Sequence, residues 1–292
     1  MVISQIIGGL GNQMFQYAAG RALSLERNQS LQLDVSGFRG YGLHHGFELQ
    51  RVFMCAAKIA TDEEVRGILG WQFPSVIRRV VERPALSMLC RKSIVIEPYF
   101  HYWPGIRSVP RDCYLSGYWQ SEKYFQDFAS VIRADFTFQS PLTGQNSGIA
   151  EQISEVNAVS LHVRRGDYVS NSKNQALYTS CSLDYYQAAI QYISAHVENP
   201  NFFVFSDDPT WVKRHLKTDF PCQYIEHNHG SESYNDMHLM SLCQHQIIAN
   251  SSFSWWGAWL NVNPDKIVIA PKKWFSKERN TQDLIPQGWV RL

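Results

Sequence analysis

The sequence lacks most of the features that would place it in a common non-enzymatic class. Its formal charge is only +1, from 27 basic and 26 acidic side chains. A general nucleic-acid binder carries a strong basic excess, so no nucleic-acid partner is expected, although a local basic pocket for one diphosphate remains compatible. No run of about 18 apolar residues occurs, and no membrane span is expected. The first residues have no basic stretch, and their apolar run is broken by Gly8, Gly9, Gly11, Asn12 and Gln13, so no signal peptide is expected and a cytoplasmic location follows. One segment qualifies this. Residues 75–92 set Arg78, Arg79, Arg83, Arg91 and Lys92 among apolar residues, which would suit a peripheral contact with the inner membrane face. Pro84 interrupts it and favours an ordinary solvated helix pair. The six cysteines form no C-x-x-C pair, which excludes a zinc framework or a dense disulfide scaffold and leaves free thiols. No D-x-D triplet occurs, which argues against a divalent-cation site; neither metal nor cofactor is expected.

What is present is apolar and aromatic. Hydrophobic residues make up 45%, enough for two full cores in 292 residues. Nine Trp and fourteen Tyr supply core material, and also flat faces of the kind that stack on pyranose rings. The patterning alternates strand and helix. Residues 2–7, 30–35, 94–96 and 114–117 read as strands, and 14–26 and 121–133 as helices, the latter with Ser121 as N-cap. Residues 139–148 are polar and rich in Ser, Gly and Pro, which marks a linker. The alternation then restarts. Strands are expected at 158–163, 201–205, 223–225, 246–249 and 266–270, and helices at 183–198, 209–216 and 233–243, with an aromatic-rich stretch at 253–260. This predicts an α/β protein of two Rossmann-like domains facing a central cleft, residues 1–145 and 146–292.

Four segments carry chemistry. The run Gly8-Gly9-Leu10-Gly11-Asn12-Gln13 lets the backbone turn sharply ahead of a helix and puts amides at the mouth of the turn. It is not the dinucleotide fingerprint, because the third glycine of G-x-G-x-x-G falls on Met14. His162-Val163-Arg164-Arg165-Gly166-Asp167 ends a strand, where ligands of α/β sheets sit. Adjacent arginines there call for an anion, and a guanidinium fork matches a diphosphate. One arginine is expected to bind ligand and the other to brace the loop, with an ion pair to Asp167 as the competing arrangement. Phe205-Ser206-Asp207-Asp208-Pro209 offers Asp207 to a ribose or base, while Asp208 suits the cap of the helix that Pro209 begins. Asp236 is followed by Asn250-Ser251-Ser252-Phe253-Ser254-Trp255-Trp256. There a serine turn at a helix start can cradle phosphate, Phe253 can stack on a base or sugar, and a carboxylate can accept both N–H donors of guanine's edge. Trp255, Trp256 and Trp259 suit core packing.

Together these segments, in order from residue 8 to 260, resemble the alpha-1,2-fucosyltransferase family, the bacterial relatives of the blood-group H enzymes within glycosyltransferase family 11. The resemblance rests on G-G-L-G-N-Q-M-F-Q-Y-A, H-V-R-R-G-D-Y, F-S-D-D and N-S-S-F-S-W-W-G-A-W-L. It implies a GT-B fold and inverting, metal-independent transfer of L-fucose from GDP-β-L-fucose to the 2-hydroxyl of a terminal galactose. By the same resemblance Arg164 neutralises the pyrophosphate, and His162 lies near the nucleotide. Asp236 reads guanine, while Ser251, Ser252 and Phe253 form the diphosphate turn. Asn12, in the loop of Gly11, faces the donor. The general base is unnamed; Asp167 and Glu122 are the candidates. The acceptor, a galactose-terminated oligosaccharide such as lactose, a type 1 chain or an O-antigen unit, is expected on the first domain. Its candidate contacts are His44, His101, Tyr118, Gln120 and Glu122. The rival readings are a transferase for another GDP-sugar, a non-catalytic glycan-binding protein and, disfavoured by Met14, a nicotinamide oxidoreductase.

Overall fold

The computed structural model describes residues 1–40, 45–74, 77, 91–166 and 180–292. The chain divides into two compact units. Met1–Gln139 with Asn280–Leu284 make the first, and Ser140–Arg279 with Ile285–Leu292 the second.

The first unit holds a five-stranded sheet of β1 (Val2–Gln5), β2 (Leu31–Asp34), β3 (Lys58–Ile59), β4 (Ile94–Ile96) and β5 (Cys113–Ser116). Its order is β3-β2-β1-β5-β4, and every pair is parallel. Parallel strands need helical crossovers, which cover the sheet and demand apolar residues on both faces. Helix α1 (Leu10–Glu26) is buried along most of its length. It lies so close to the sheet that a Cβ on Gly20 would come within 2.9 Å of Leu31 and 3.0 Å of Ser4. Helix α2 (Asp62–Leu69) begins with a capping box between Thr61 and Glu64, and packs Val65, Ile68 and Leu69 on Ile3, Ile94 and Tyr114. The sequence pattern did not reveal this helix. Helix α3 (Ala129–Asp135) is tied to α1 by Asp135, which accepts from the Tyr17 hydroxyl and from Arg21 Nε, both at 2.8 Å.

The long helix expected over 121–133 is broken. Two 3-10 turns (Glu122–Tyr124 and Gln126–Phe128) precede α3, and Ser121 caps only the first of them. The chain turns at Phe125 so that Tyr124 packs edge-on to Trp119 while Phe125 meets Phe15 of α1. Burying those rings outweighs a few tenths of a kcal/mol per residue of helix propensity.

The second unit holds six parallel strands: β6 (Asn157–Val163), β7 (Pro200–Ser206), β8 (Cys222–Ile225), β9 (His245–Ile247), β10 (Val268–Ala270) and β11 (Val290–Arg291). The order β11-β10-β9-β6-β7-β8 is the doubly wound 3-2-1-4-5-6 arrangement when counted from β6. Its helices are α4 (Gln145–Glu155), α5 (Leu183–His196), α6 (Pro209–His215), α7 (Tyr234–Leu242) and α8 (Ser252–Leu260). Alternate residues of β6 feed opposite layers. Val159, Leu161 and Val163 pack with α5 and α6, while Ala158 packs with α4 and α7. The expected linker over 139–148 is shorter than its composition suggests. Gly144 (φ +56°) ends it, and residues 145–148 already belong to α4, whose Ile149 and Ile153 are buried. A boundary between residues 145 and 146 would therefore cut a helix. Among the described residues Cys55, Cys113, Cys181, Cys222 and Cys243 are free thiols, and no helix is long and apolar enough to cross a membrane. The basic segment 75–92 lies almost wholly outside the described residues.

Candidate active site

In a doubly wound sheet the strand order reverses at one point, and the crevice beyond the carboxyl ends of the two strands there is the binding position. In the second unit those strands are β6 and β9, paired at Leu161 and Ile247. The segment leaving β6 is Arg164-Arg165-Gly166. The segment leaving β9 is Ile248-Ala249-Asn250-Ser251, which enters α8. Two motifs about ninety residues apart in sequence thus flank one switch point.

The two arginines have different partners. Arg164 Nη1 lies 3.1 Å from Asp207 Oδ2 and keeps about a third of its side chain exposed. Arg165 lays its guanidinium 3.8 Å from the centroid of Trp211 in α6, and its Nε is 3.5 Å from Asp208 Oδ2. Arg165 is the bracing residue. Asp207, expected at a ribose or base, directs both oxygens at the arginine loop, since its Oδ1 also accepts the Arg165 backbone N–H at 2.8 Å. The approach is so close that a Cβ on Gly166 would fall 2.8 Å from Asp207 Oδ2. Asp208 caps α6, accepting from Trp211 N at 3.1 Å.

Across the switch point Ser251 is the N-cap of α8, and its Oγ accepts from Phe253 N at 3.3 Å. The amino-terminal N–H groups and helix dipole give this end a partial positive charge suited to phosphate. Ser251, Ser252 and Phe253 are half-buried at the surface, whereas Trp255 and Trp256 are fully buried and pack edge-on at 5.0 Å. Asn250 is buried and anchors the turn by donating to Trp274 O at 2.9 Å. His162, on β6, is buried with its ring 6.1 Å from that of Phe253. Its Nδ1 has no hydrogen-bond partner among the described residues. Burial, with the Arg164 charge second, pushes its pKa down to about 4 against the opposing pull of Asp207. The imidazole is therefore neutral at physiological pH, and a buried ring nitrogen is left for a ligand to satisfy.

Asp236 lies in the first turn of α7, at the same edge of the sheet beyond β8. Asn228 Nδ2 donates to its Oδ1 at 2.8 Å. Asn228 and Asn146 also exchange amide hydrogen bonds at 2.8 and 3.0 Å, and His227 Nε2 sits 2.8 Å from Asn146 Oδ1. This amide ladder fixes the carboxylate's orientation. Burial pushes the Asp236 pKa up to about 7, with the Asn228 hydrogen bond opposing. The sequence offered no sign of Asn146 or Asn228, because the ladder joins residues 82 positions apart.

In the first unit the order reverses between β1 and β5. Gln120 Nε2 donates to Asn12 Oδ1 at 2.7 Å, so these two predicted residues meet. Gly11 and Asn12 fall inside the first turn of α1, which begins earlier than expected, at Leu10. Gln13 is fully buried rather than at the mouth of the turn. It holds the loop by donating to Gly8 O and Gly46 O and accepting from Glu48 N. Tyr118 is 43% exposed, and His101 stacks on Tyr99 at 5.0 Å. Glu122 is half-buried within electrostatic reach of Arg133. His44 and Asp167 lie outside the described residues.

Residues 73–292 match the glycosyl transferase family 11 profile. The chain is 40% identical to an alpha-1,2-colitosyltransferase of Escherichia coli, covering all of this chain and 99% of that one. It is 34% identical to the O-antigen biosynthesis glycosyltransferase WbnK of the same species, covering 99% of each. Among solved structures, the NodZ alpha-1,6-fucosyltransferase soaked with GDP-fucose aligns with a TM-score of 0.53 at 15% identity, over 89% of this chain and 91% of that one. That likeness concerns fold, and it agrees with the expected α/β, GT-B-like class of two Rossmann-like domains.

Proposed function

This chain belongs to glycosyl transferase family 11, and from that premise we propose that it transfers L-fucose from GDP-β-L-fucose to the 2-hydroxyl of a terminal galactose, inverting the anomeric carbon without a metal ion. The observation that carries this reading is the pairing, across the β6–β9 switch point, of Arg164 with the serine-capped start of α8. As the bond between the sugar and the β-phosphate breaks, negative charge builds on the leaving oxygen. A guanidinium and a row of helix N–H groups stabilise that charge without reorganising, which is the electrostatic work a metal does elsewhere. The neutral His162 offers a ring nitrogen to the same ligand. Asp236, held by Asn228, presents a carboxylate for the two N–H groups of guanine. Asn12, Gln120, Tyr118 and His101 supply amides and ring faces of the kind a galactose-terminated glycan uses. The 34% identity to WbnK supports an O-antigen unit as acceptor, and with it the expected cytoplasmic location, soluble or peripheral to the inner membrane face.

A second reading keeps the same machinery and changes the sugar. The relative at 40% identity over the whole chain transfers colitose, which is fucose without its 3-hydroxyl. GDP release from GDP-fucose, GDP-colitose and GDP-mannose, each with and without lactose and in EDTA, separates the cases. Acceptor-dependent release from GDP-fucose supports the first reading, and release from GDP-colitose alone supports the second. Release from GDP-mannose alone, or from none across a panel of galactosides, overturns both.

A further inference from the structure

Two buried amides of the second unit, Asn146 and Asn228, keep 8% and 9% of their surface exposed. Asn146 is the second residue of α4, and Asn228 follows the end of β8 by three positions. Burying an amide costs free energy unless its polar atoms find partners. Here the partners form one line that ends at Asp236, in the first turn of α7. Helices α4 and α7 already meet through the apolar side chains of Ile149, Ile153, Leu239 and Met240. The amide line is therefore a polar feature that packing alone does not ask for.

The line has a single polarity, and the carboxylate sets it. An ionised carboxylate only accepts, so the Asn228 atom that faces Asp236 Oδ1 at 2.8 Å is Nδ2. Asn228 Oδ1 must then be met by a donor, and Asn146 Nδ2 supplies it at 2.8 Å. Asn146 Oδ1 accepts the second N–H of Asn228 at 3.0 Å. His227 Nε2 lies 2.8 Å from the same oxygen, which can only accept, so the histidine carries its proton on that nitrogen. Both N–H groups of Asn228 are thereby used, and none is left to turn towards a ligand. Asn228 is the one side-chain partner of Asp236 among the described residues, which leaves the carboxylate about three of its four lone-pair sites. Asp236 is only half-buried, so part of that edge stays open. The end of the line thus presents lone pairs alone, in a plane that two buried amides hold.

We propose that Asn146 and Asn228 are positioning residues that set the base selectivity of the donor site, by holding Asp236 as a rigid edge that only accepts. This rests on the reading above in which Asp236 meets guanine. A base edge with two neighbouring N–H donors, as in guanine, fits a fixed carboxylate with two parallel hydrogen bonds. Hypoxanthine, which lacks guanine's 2-amino group, offers one. Adenine sets the lone pair of its ring N1 against the carboxylate. A carboxylate free to rotate would still take a single N–H but would reward the second donor less, because parallel bonds need both oxygens in the plane of the base. Asn146, His227, Asn228 and Asp236 all belong to the second unit, so the device is complete within it.

The test compares the binding of GDP, IDP and ADP by calorimetry at about pH 8, where Asp236 is ionised, in wild type, Asn146→Ala, Asn146→Asp and His227→Ala. Wild type is expected to bind GDP about 10- to 100-fold tighter than IDP, and ADP more weakly than IDP. Asn146→Ala should bring the GDP-to-IDP ratio to within about threefold, chiefly by weakening GDP. Asn146→Asp keeps the side-chain volume but sets an acceptor against Asn228 Oδ1, and should do the same. His227→Ala removes only the outermost N–H, from a half-buried position, and should lower the ratio about two- to fivefold. It decides alone if the Asn146 variants do not fold. A wild-type ratio kept by the folded variants overturns the proposal, even where both affinities fall together, and leaves the amides a brace between α4 and the loop after β8. Equal binding of GDP and IDP by wild type is a separate result, which strikes the guanine reading of Asp236 and the selectivity built on it.

Discussion

Arg164 and Asp207 form an ion pair at 3.1 Å between the ends of neighbouring strands, and the same carboxylate holds the next residue by its backbone N–H. The pair is part-exposed, so its own contribution to stability is small, at most about 1 kcal/mol. Its consequence is positional. Asp207 keeps a cation at the switch point, and under the proposed function a diphosphate would compete for the same guanidinium.

Arg164→Ala should therefore leave the fold intact and remove transfer, by about 10²–10⁴-fold in kcat. Asp207→Asn should cost less, because the arginine remains. The check is single-turnover transfer at saturating donor beside a melting curve. Near-normal turnover of Arg164→Ala would remove it from the diphosphate.

If Asp236 reads guanine as proposed, GDP binding should have a pH dependence of defined sign. Below about pH 7 the free enzyme carries Asp236 protonated, and the guanine N–H donors meet a poor acceptor. Affinity should rise with pH through that value and level off above it. Asp236→Asn should weaken binding by about 5- to 100-fold and flatten the part of the profile that the phosphates of GDP do not cause. Calorimetric titration from pH 5.5 to 8.5 reads both, and an unchanged Kd would place guanine elsewhere.

Under the proposed function activity should survive EDTA, with Arg164 and the α8 terminus in the place of a cation. Loss in EDTA that Mg²⁺ or Mn²⁺ reverses would replace that account with metal catalysis.

Thr61→Ala removes one half of the capping box at α2, where Thr61 Oγ1 accepts from Glu64 N and Glu64 Oε2 accepts from Thr61 N. The expected cost is about 1 kcal/mol, with a melting shift of about 2–5 °C and no effect on GDP affinity. An unchanged midpoint would show that α2 is held by Val65, Ile68 and Leu69 alone.

Much of the second unit was legible because its strands are continuous apolar runs that end in chemistry. Leu161 and Val163 are followed by Arg164, and Phe203 and Phe205 by Asp207. Less of the first unit was legible, for identifiable reasons. The box Thr61-Asp62-Glu63-Glu64 was present but heads only a short helix. Residues 121–133 have helical periodicity, yet the aromatic neighbours of Tyr124 and Phe125 break it. Helix α4 is hidden by Gly148 and a polar composition.

By itself the sequence determined the strand–helix alternation, the residues that can stay buried, and the local chemistry of each strand end, because these follow from neighbours a few positions apart. Tertiary structure alone decided which strand ends lie side by side. Pairing β6 with β9 brought Arg164 to the serine turn. Packing α7 against α4 gave Asp236 its amide ladder. The loop that leaves β5 lays the Tyr118 and Trp119 N–H groups on Glu97, just beyond β4, and burial pushes that acid's pKa up to about 7. A pKa, a shared ligand site and a buried orphan nitrogen all depend on what surrounds a group within a few ångströms, and those surroundings come from residues scores of positions away.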